Sequence, residues 1–149
     1  VSTTRRSARI CAVQILYPLS LGDSGINTHF DPEQSISLFW KHFEAPDDAK
    51  QYADRLVRGV SMRLAEIDKA LTTASKHWRL DRMAKVDLTI LRLSAYEMLF
   101  ELEVPHEVVI DEAVELTKQF STAEAAAFVN GVLAPLVEER AVRKVGASS

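Results

Sequence analysis

The stretch Asp87 to Leu102, D-L-T-I-L-R-L-S-A-Y-E-M-L-F-E-L, leaves almost no polar sector on a 3.6-residue helix. Leu88, Ile90, Leu91, Leu93, Ala95, Tyr96, Met98, Leu99, Phe100 and Leu102 between them face nearly every direction. A helix that is apolar all round must have neighbours on every side. It is too short for a membrane span and, with Asp87, Arg92, Glu97 and Glu101, too charged. A buried strand would be shorter and richer in β-branched residues, so helix is preferred. Asp87 is placed as its N-cap, where a carboxylate accepts from the open N–H groups of the first turn. The expectation is an all-α domain packed around this segment.

The rest of the chain agrees with that class. Its 149 residues suit one domain, and a 47% hydrophobic content supports a core. Five glycines and five prolines are few for an all-β chain with many turns. The domain is expected to span residues 1–145, with 146–149 as a flexible tail. The lone Cys11 excludes an internal disulfide and a cysteine zinc site, which points to a reducing, cytoplasmic location. No signal peptide or membrane segment is recognised.

About seven helices are predicted. The first runs from about Thr4 to Leu21, with Ile10, Val13, Tyr17 and Leu21 on one face, and Pro18 should bend it or end it early. Asp31 then caps a helix with Pro32 at its first position and Gln34 closing a capping box. Ile36, Phe39, Trp40 and Phe43 form its core face. A long helix covers Asp48 to Ser75, with Gly59 in its interior. There glycine costs roughly 1 kcal/mol against alanine, so a close helix crossing is expected to need the missing side chain. A connector from Trp78 to Lys85, with one turn at Asp81 to Ala84, leads to the central helix. Two more follow, from His106 to Gln119 and after a capping box at Ser121 and Glu124, with a kink at Pro135.

The net charge of −3 does not point to nucleic acid, but its distribution does. No acidic residue precedes Asp23, whereas Arg5, Arg6 and Arg9 do. Between Arg92 and Lys118 lie seven carboxylates and no Lys or Arg. This predicts a polarised molecule, with a cationic N-terminal edge and the carboxylates on a solvated face elsewhere. No histidine pair has metal-ligand spacing and no glycine-rich loop cradles phosphate, so no catalytic, cofactor or metal residues are assigned. Cys11, among Ala8, Ala12 and Ile15, reads as a core thiol. The arginines can neutralise and fork onto phosphates, or simply be a solvated helix start. Three phosphate contacts to a single strand imply a salt slope of only about −2.

Four blocks carry a resemblance: R-R-S-A-R-I-C-A-V-Q-I-L-Y at 5–17, V-D-L-T-I-L-R-L-S-A-Y-E at 86–97, V-P-H-E-V-V-I-D-E-A-V-E-L-T-K-Q-F at 104–120 and F-V-N-G-V-L at 128–133. Together they resemble the NusB family of bacterial transcription antitermination factors. The resemblance implies two helical subdomains, each roughly a three-helix bundle, and no catalysis. It implies binding of boxA-type single-stranded RNA with NusE, a small-subunit ribosomal protein. It also implies action on RNA polymerase, notably in ribosomal RNA operons, and homodimers in some members. The family's arginine-rich segment falls on Arg5, Arg6 and Arg9, with Ser7 where other members carry a further basic residue. By resemblance the RNA surface continues to Lys118, Phe120, Glu124 and Phe128, although spacing alone makes both phenylalanines core. The NusE side falls on Tyr17 and Asp87. Arg92 and Glu97 also match the family pattern, with packing and binding roles not separable. Two other readings are the RNA-binding accessory domain of a ribosomal RNA cytosine methyltransferase and a purely protein-binding helical module. The first needs a catalytic α/β domain for which 149 residues leave no room.

Overall fold

Helix formation in this chain follows its apolar stripes, and its breaks follow proline and tertiary packing. The computed structural model describes residues 3–76 and 80–148. Among the described residues there are eight α-helices, two 3₁₀ turns and no strand. The helices are α1 (Thr3–Leu16), α2 (Pro32–His42), α3 (Asp47–Met62), α4 (Leu64–Ser75), α5 (Lys85–Phe100), α6 (His106–Phe120), α7 (Ala123–Leu133) and α8 (Leu136–Ser148). The 3₁₀ turns span Tyr17–Leu21 and Leu80–Arg82. The expected connector therefore contains a turn, one residue earlier than predicted, while Trp78 lies outside the described residues.

The central segment is α5, and every residue from Asp87 to Leu99 is buried. It packs against α1, α3, α4, α6, α7 and α8, as an all-round apolar helix must. Around it α1, α2 and α3 form one group, and α4, α6, α7 and α8 the other. Two of the six long predicted helices are each divided, which gives eight, and the seventh predicted element, the connector turn, is the 3₁₀ turn Leu80–Arg82. At Arg63 the backbone takes φ −108°, ψ 18°, and α4 starts anew. Leu64, Ile67 and Leu71 continue the spacing of Leu56 and Val60, so the pattern alone conceals this break. Tertiary packing sets it: both helices touch α5, but α3 lies on α1 whereas α4 lies on α7. Pro135 separates α7 from α8 outright, since it lacks the N–H that would continue the ladder.

Other expectations shift by a few residues. Pro18 does end α1 early, and the following 3₁₀ turn changes the helical phase. Tyr17 is 39% and Leu21 52% exposed as a result, and the inner face is Ala8, Ala12, Val13, Ile15 and Leu16. In α2, Ile36 is buried but Phe43 lies beyond the helix end, 54% exposed and stacked on Phe39. Asp31 caps α2 as expected, accepting from the N–H groups of Glu33 and Gln34 at 3.0 and 3.2 Å. The cap of α7 is Thr122 rather than Ser121, its hydroxyl accepting from Ala125 N–H at 3.0 Å. Asp87 is not the N-cap of α5, which starts two residues earlier after Ala84. The α8 helix continues through Gly146 to Ser148, the segment expected as a tail.

Gly59 bears out the expected close crossing. A Cβ there would lie 2.2 Å from Tyr96 Cζ, so α3 and α5 approach only because the side chain is missing. Among the described residues, no helix is long and apolar enough to cross a membrane.

Candidate nucleic-acid and partner interfaces

Three arginines on one short helix point to three different environments. Arg9 is 2% exposed, and its Nε and Nη2 donate to the two oxygens of Glu97, each at 2.8 Å. Tyr52 donates its hydroxyl to the same carboxylate at 2.7 Å, and Glu112 lies 3.9 Å from Arg9 Nη1. A solvated Arg9 is therefore corrected: this cation sits in the core between α1, α3, α5 and α6. Burial works against its charge, yet the hydrogen bond and charge of Glu97 prevail and hold its pKa above the ordinary arginine value. The same burial, with Glu97 alongside, pushes the Tyr52 phenol above its usual range.

Arg6 and Arg5 flank it. Arg6, 55% exposed, reaches Glu112 on α6 through Nε at 3.2 Å. Arg5 turns the other way and lies over the Tyr52 ring, 4.5 Å from its centroid. Consecutive helix positions differ by about 100°, so the two side chains leave α1 in different directions.

The expected anionic face is also corrected. Glu97, Glu101 and Glu112 are buried, and they pair respectively with Arg9, Arg55 and Arg6. Only the remaining four carboxylates of that run face solvent. Charges separated along the sequence thus meet in the fold.

Arg6 and Lys118 line a common groove of about 300 Å³ between α1 and α6, together with Ile10, Glu112, Glu115, Leu116 and Gln119. Lys118 is exposed and 3.6 Å from Glu115. Two cations share this groove with two carboxylates, so its charges balance locally while the guanidinium and ammonium groups stay exposed. Phe120 ends α6, and Glu124 and Phe128 follow one turn apart on α7. Both phenylalanines are half-buried against the core, so each combines packing with an accessible edge, and Glu124 is exposed.

The residues expected for the second surface lie on the Tyr17–Leu21 turn and at the start of α5, which pack together. Ser20 and Thr89 hydroxyls are 3.0 Å apart, and Arg92 donates to Ser20 at 3.1 Å and to the Gly25 carbonyl at 2.7 Å. Arg92 also forks onto Asp68 of α4 at 2.9 and 2.8 Å. Arg92 and Glu97 are both buried and hold elements together. Tyr17 stands on this turn, and Asp87 lies in the first turn of α5, 9% exposed, with its Oδ1 accepting no hydrogen bond among the described residues.

Sequence reasoning missed Arg140. It is 2% exposed and donates to the carbonyls of Glu97, Met98, Leu102 and Val104, closing the C-terminal end of α5. Its only signal is one more arginine in a charged helix, which spacing does not distinguish. Cys11 is half-buried, and desolvation raises its thiol pKa, the opposite of an activated thiolate. Among the described residues no group of three His, Cys, Asp or Glu side chains is placed to hold a metal ion.

The NusB family model matches residues 6–138, nearly the whole chain. The chain belongs to the NusB family. It is 40% identical over 134 residues to the transcription antitermination protein NusB of Sorangium cellulosum, covering 90% of this chain and 91% of that protein. Against the protein of the same description from Anaeromyxobacter dehalogenans (strain 2CP-1 / ATCC BAA-258) it is 44% identical over 133 residues, covering 88% and 89%. The fold is similar to T. maritima NusB, with a TM-score of 0.78 and 31% identity over 93% of this chain and 94% of that one. It is equally similar to a chain in the crystal structure of antitermination factors NusB and NusE in complex with dsRNA. There the TM-score is 0.78, with 28% identity over 93% and 99%. The NusB resemblance read from four sequence blocks thus extends to the fold.

Proposed function

We propose that this NusB-family protein is a non-catalytic transcription antitermination factor that binds boxA-type single-stranded RNA together with NusE. In this reading it helps RNA polymerase read through terminators, notably in ribosomal RNA operons, and it acts in the cytoplasm as one helical domain. The observation that carries it is the groove that Arg6 and Lys118, distant in sequence, line together. The strand lies along α1 and α6, its phosphates near these two cations. Its bases reach the α6–α7 edge, where Phe120 and Phe128 offer faces worth about 1–3 kcal/mol per stacked base. Glu124 contributes as a base-edge acceptor. Arg9 acts from beneath, fixing α1 against α5 rather than touching phosphate.

NusE docks on the turn carrying Tyr17. Asp87 offers a partner the oxygen that has no hydrogen bond within the described residues, and a basic ribosomal protein supplies suitable donors. Because the α1–α6 groove balances its cations with carboxylates, this protein alone binds RNA weakly, and NusE completes the surface.

A purely protein-binding module is the second reading, favoured by the burial of Arg9 and the pairing of Arg6 with Glu112. Fluorescence anisotropy separates the two, using a boxA-like strand and a scrambled one, with and without NusE, at two salt concentrations. Weak, salt-sensitive binding that becomes tight and sequence-selective with NusE supports antitermination. Absence of sequence preference in both conditions leaves the protein-binding module.

A further inference from the structure

The groove between α1 and α6 holds two ion pairs of different kinds. Arg6 Nε donates to both oxygens of Glu112 at 3.2 Å, and that carboxylate is 3% exposed, with Arg9 Nη1 also 3.9 Å from it. Glu112 is thus a fixed counter-charge, because parting it from its arginines strands a buried carboxylate. Glu115 faces the other cation, Lys118, at 3.6 Å, and these side chains are 60% and 53% exposed. An exposed pair of this kind costs little to part. We propose that Glu115 is a built-in competitor of the RNA backbone: its carboxylate occupies the Lys118 ammonium in the free protein, and a phosphate gains that ammonium only by displacing it. The inference rests on the RNA-binding reading above and deepens it by naming the residue that limits the affinity of the groove.

The competition follows from reach and from the lack of another partner. Glu115 precedes Lys118 by three positions on α6, so the two side chains share a helix face, and both line the groove with Arg6. A phosphate approaching Lys118 therefore meets the Glu115 carboxylate at the same opening. Once displaced, Glu115 finds no second cation on its own helix. The positions three and four residues away hold Asp111, Glu112 and Gln119 besides Lys118. Arg6 across the groove is already held by Glu112. The carboxylate turns to water instead, close to the phosphate that replaced it. Two like charges about 5 Å apart in water repel by an amount worth about fourfold in a binding constant, and salt screens that repulsion. The penalty acts on the backbone, so it falls on every RNA sequence alike. Glu115 thereby holds down binding to arbitrary strands, whereas a strand whose bases also stack on Phe120 and Phe128 has a further source of affinity.

The test measures RNA affinity of the full chain with NusE present, by fluorescence anisotropy on a boxA-like and a scrambled strand at low and moderate salt. Glu115→Gln should bind both strands about fourfold more tightly at low salt, with a smaller gain at moderate salt. Glu107→Gln removes the same charge from an exposed position two turns back on α6, about 12 Å along the axis, and should change affinity by less than about twofold. In a Lys118→Gln background the gain from Glu115→Gln should also fall below about twofold, because no ammonium is left to compete for. Thermal melts of each variant should stay close to that of the parent protein, since the altered pairs are exposed. The proposal is overturned if Glu115→Gln brings no gain, if Glu107→Gln brings an equal one, or if the gain persists in full without Lys118. If the unaltered protein with NusE binds neither strand, the RNA-binding reading fails and the competition with it.

Discussion

At the scale of single residues, Arg9 shows how identity and role can separate. Its position between Arg6 and a helix face made it one of three equivalent cations, yet it is the only one of the three placed in the core. The Arg9–Glu97 pair is bidentate, and Tyr52 takes up a further lone pair of Glu97, so the desolvated charges have close partners. Removing one partner strands the other. Arg9→Ala and Glu97→Ala should each lower the unfolding free energy by about 3–5 kcal/mol, measured by urea denaturation. Lys118→Ala, from an exposed pair with Glu115, should change stability by about 1 kcal/mol or less. Its effect should appear instead as weaker RNA binding. If Arg9→Ala weakened RNA binding with stability intact, Arg9 would be a contact residue rather than a support.

Among the elements, α5 was legible because its pattern has no polar face, and no alternative partner arrangement satisfies such a helix. The crossing of α3 over α5 depends on Gly59 beneath Tyr96, whose ring cannot easily retreat while its hydroxyl is bound to Glu101. Gly59→Ala would gain about 1 kcal/mol in helix propensity. That gain is set against an overpacking cost of typically 1–3 kcal/mol, and a contact of 2.2 Å belongs at its upper end. The expected result is a net loss of about 1–2 kcal/mol, read from the shift in chemical denaturation midpoint. A gain in stability would show that the two helices can separate freely. The break at Arg63 was illegible for the opposite reason: the stripe runs on without Gly or Pro, and only the different partners of α3 and α4 divide it.

For the whole molecule, oppositely charged segments fold onto one another, and the phenols among them set its alkaline limit. Burial first and Glu101 second push the Tyr96 phenol up to about 12, and burial with Glu97 raises Tyr52 as well. A raised folded-state pKa contributes stability that is complete below the unfolded value of about 10 and is lost as pH rises toward the folded one. The melting temperature should therefore fall between about pH 10 and pH 12. A Tyr52→Phe, Tyr96→Phe variant should start lower at neutral pH, having lost two hydrogen bonds, but decline less steeply across that window. An equal slope in both proteins would assign the alkaline loss to other groups.

Local chemistry was enough to read the helical class, the buried helix, the cap at Asp31 and the interruptions at Pro18 and Pro135. Hydrophobic period, cap chemistry and proline's missing N–H all act within a few residues of chain. The family blocks likewise lie in contiguous sequence. The fate of the charges was not local: Arg9 meets Glu97 across 88 positions, and Arg6 meets Glu112 across 106. No helical spacing encodes such pairings. They exist because packing α1 against α5 and α6 brings cations and carboxylates together, and the same packing leaves Arg6 and Lys118 lining one groove.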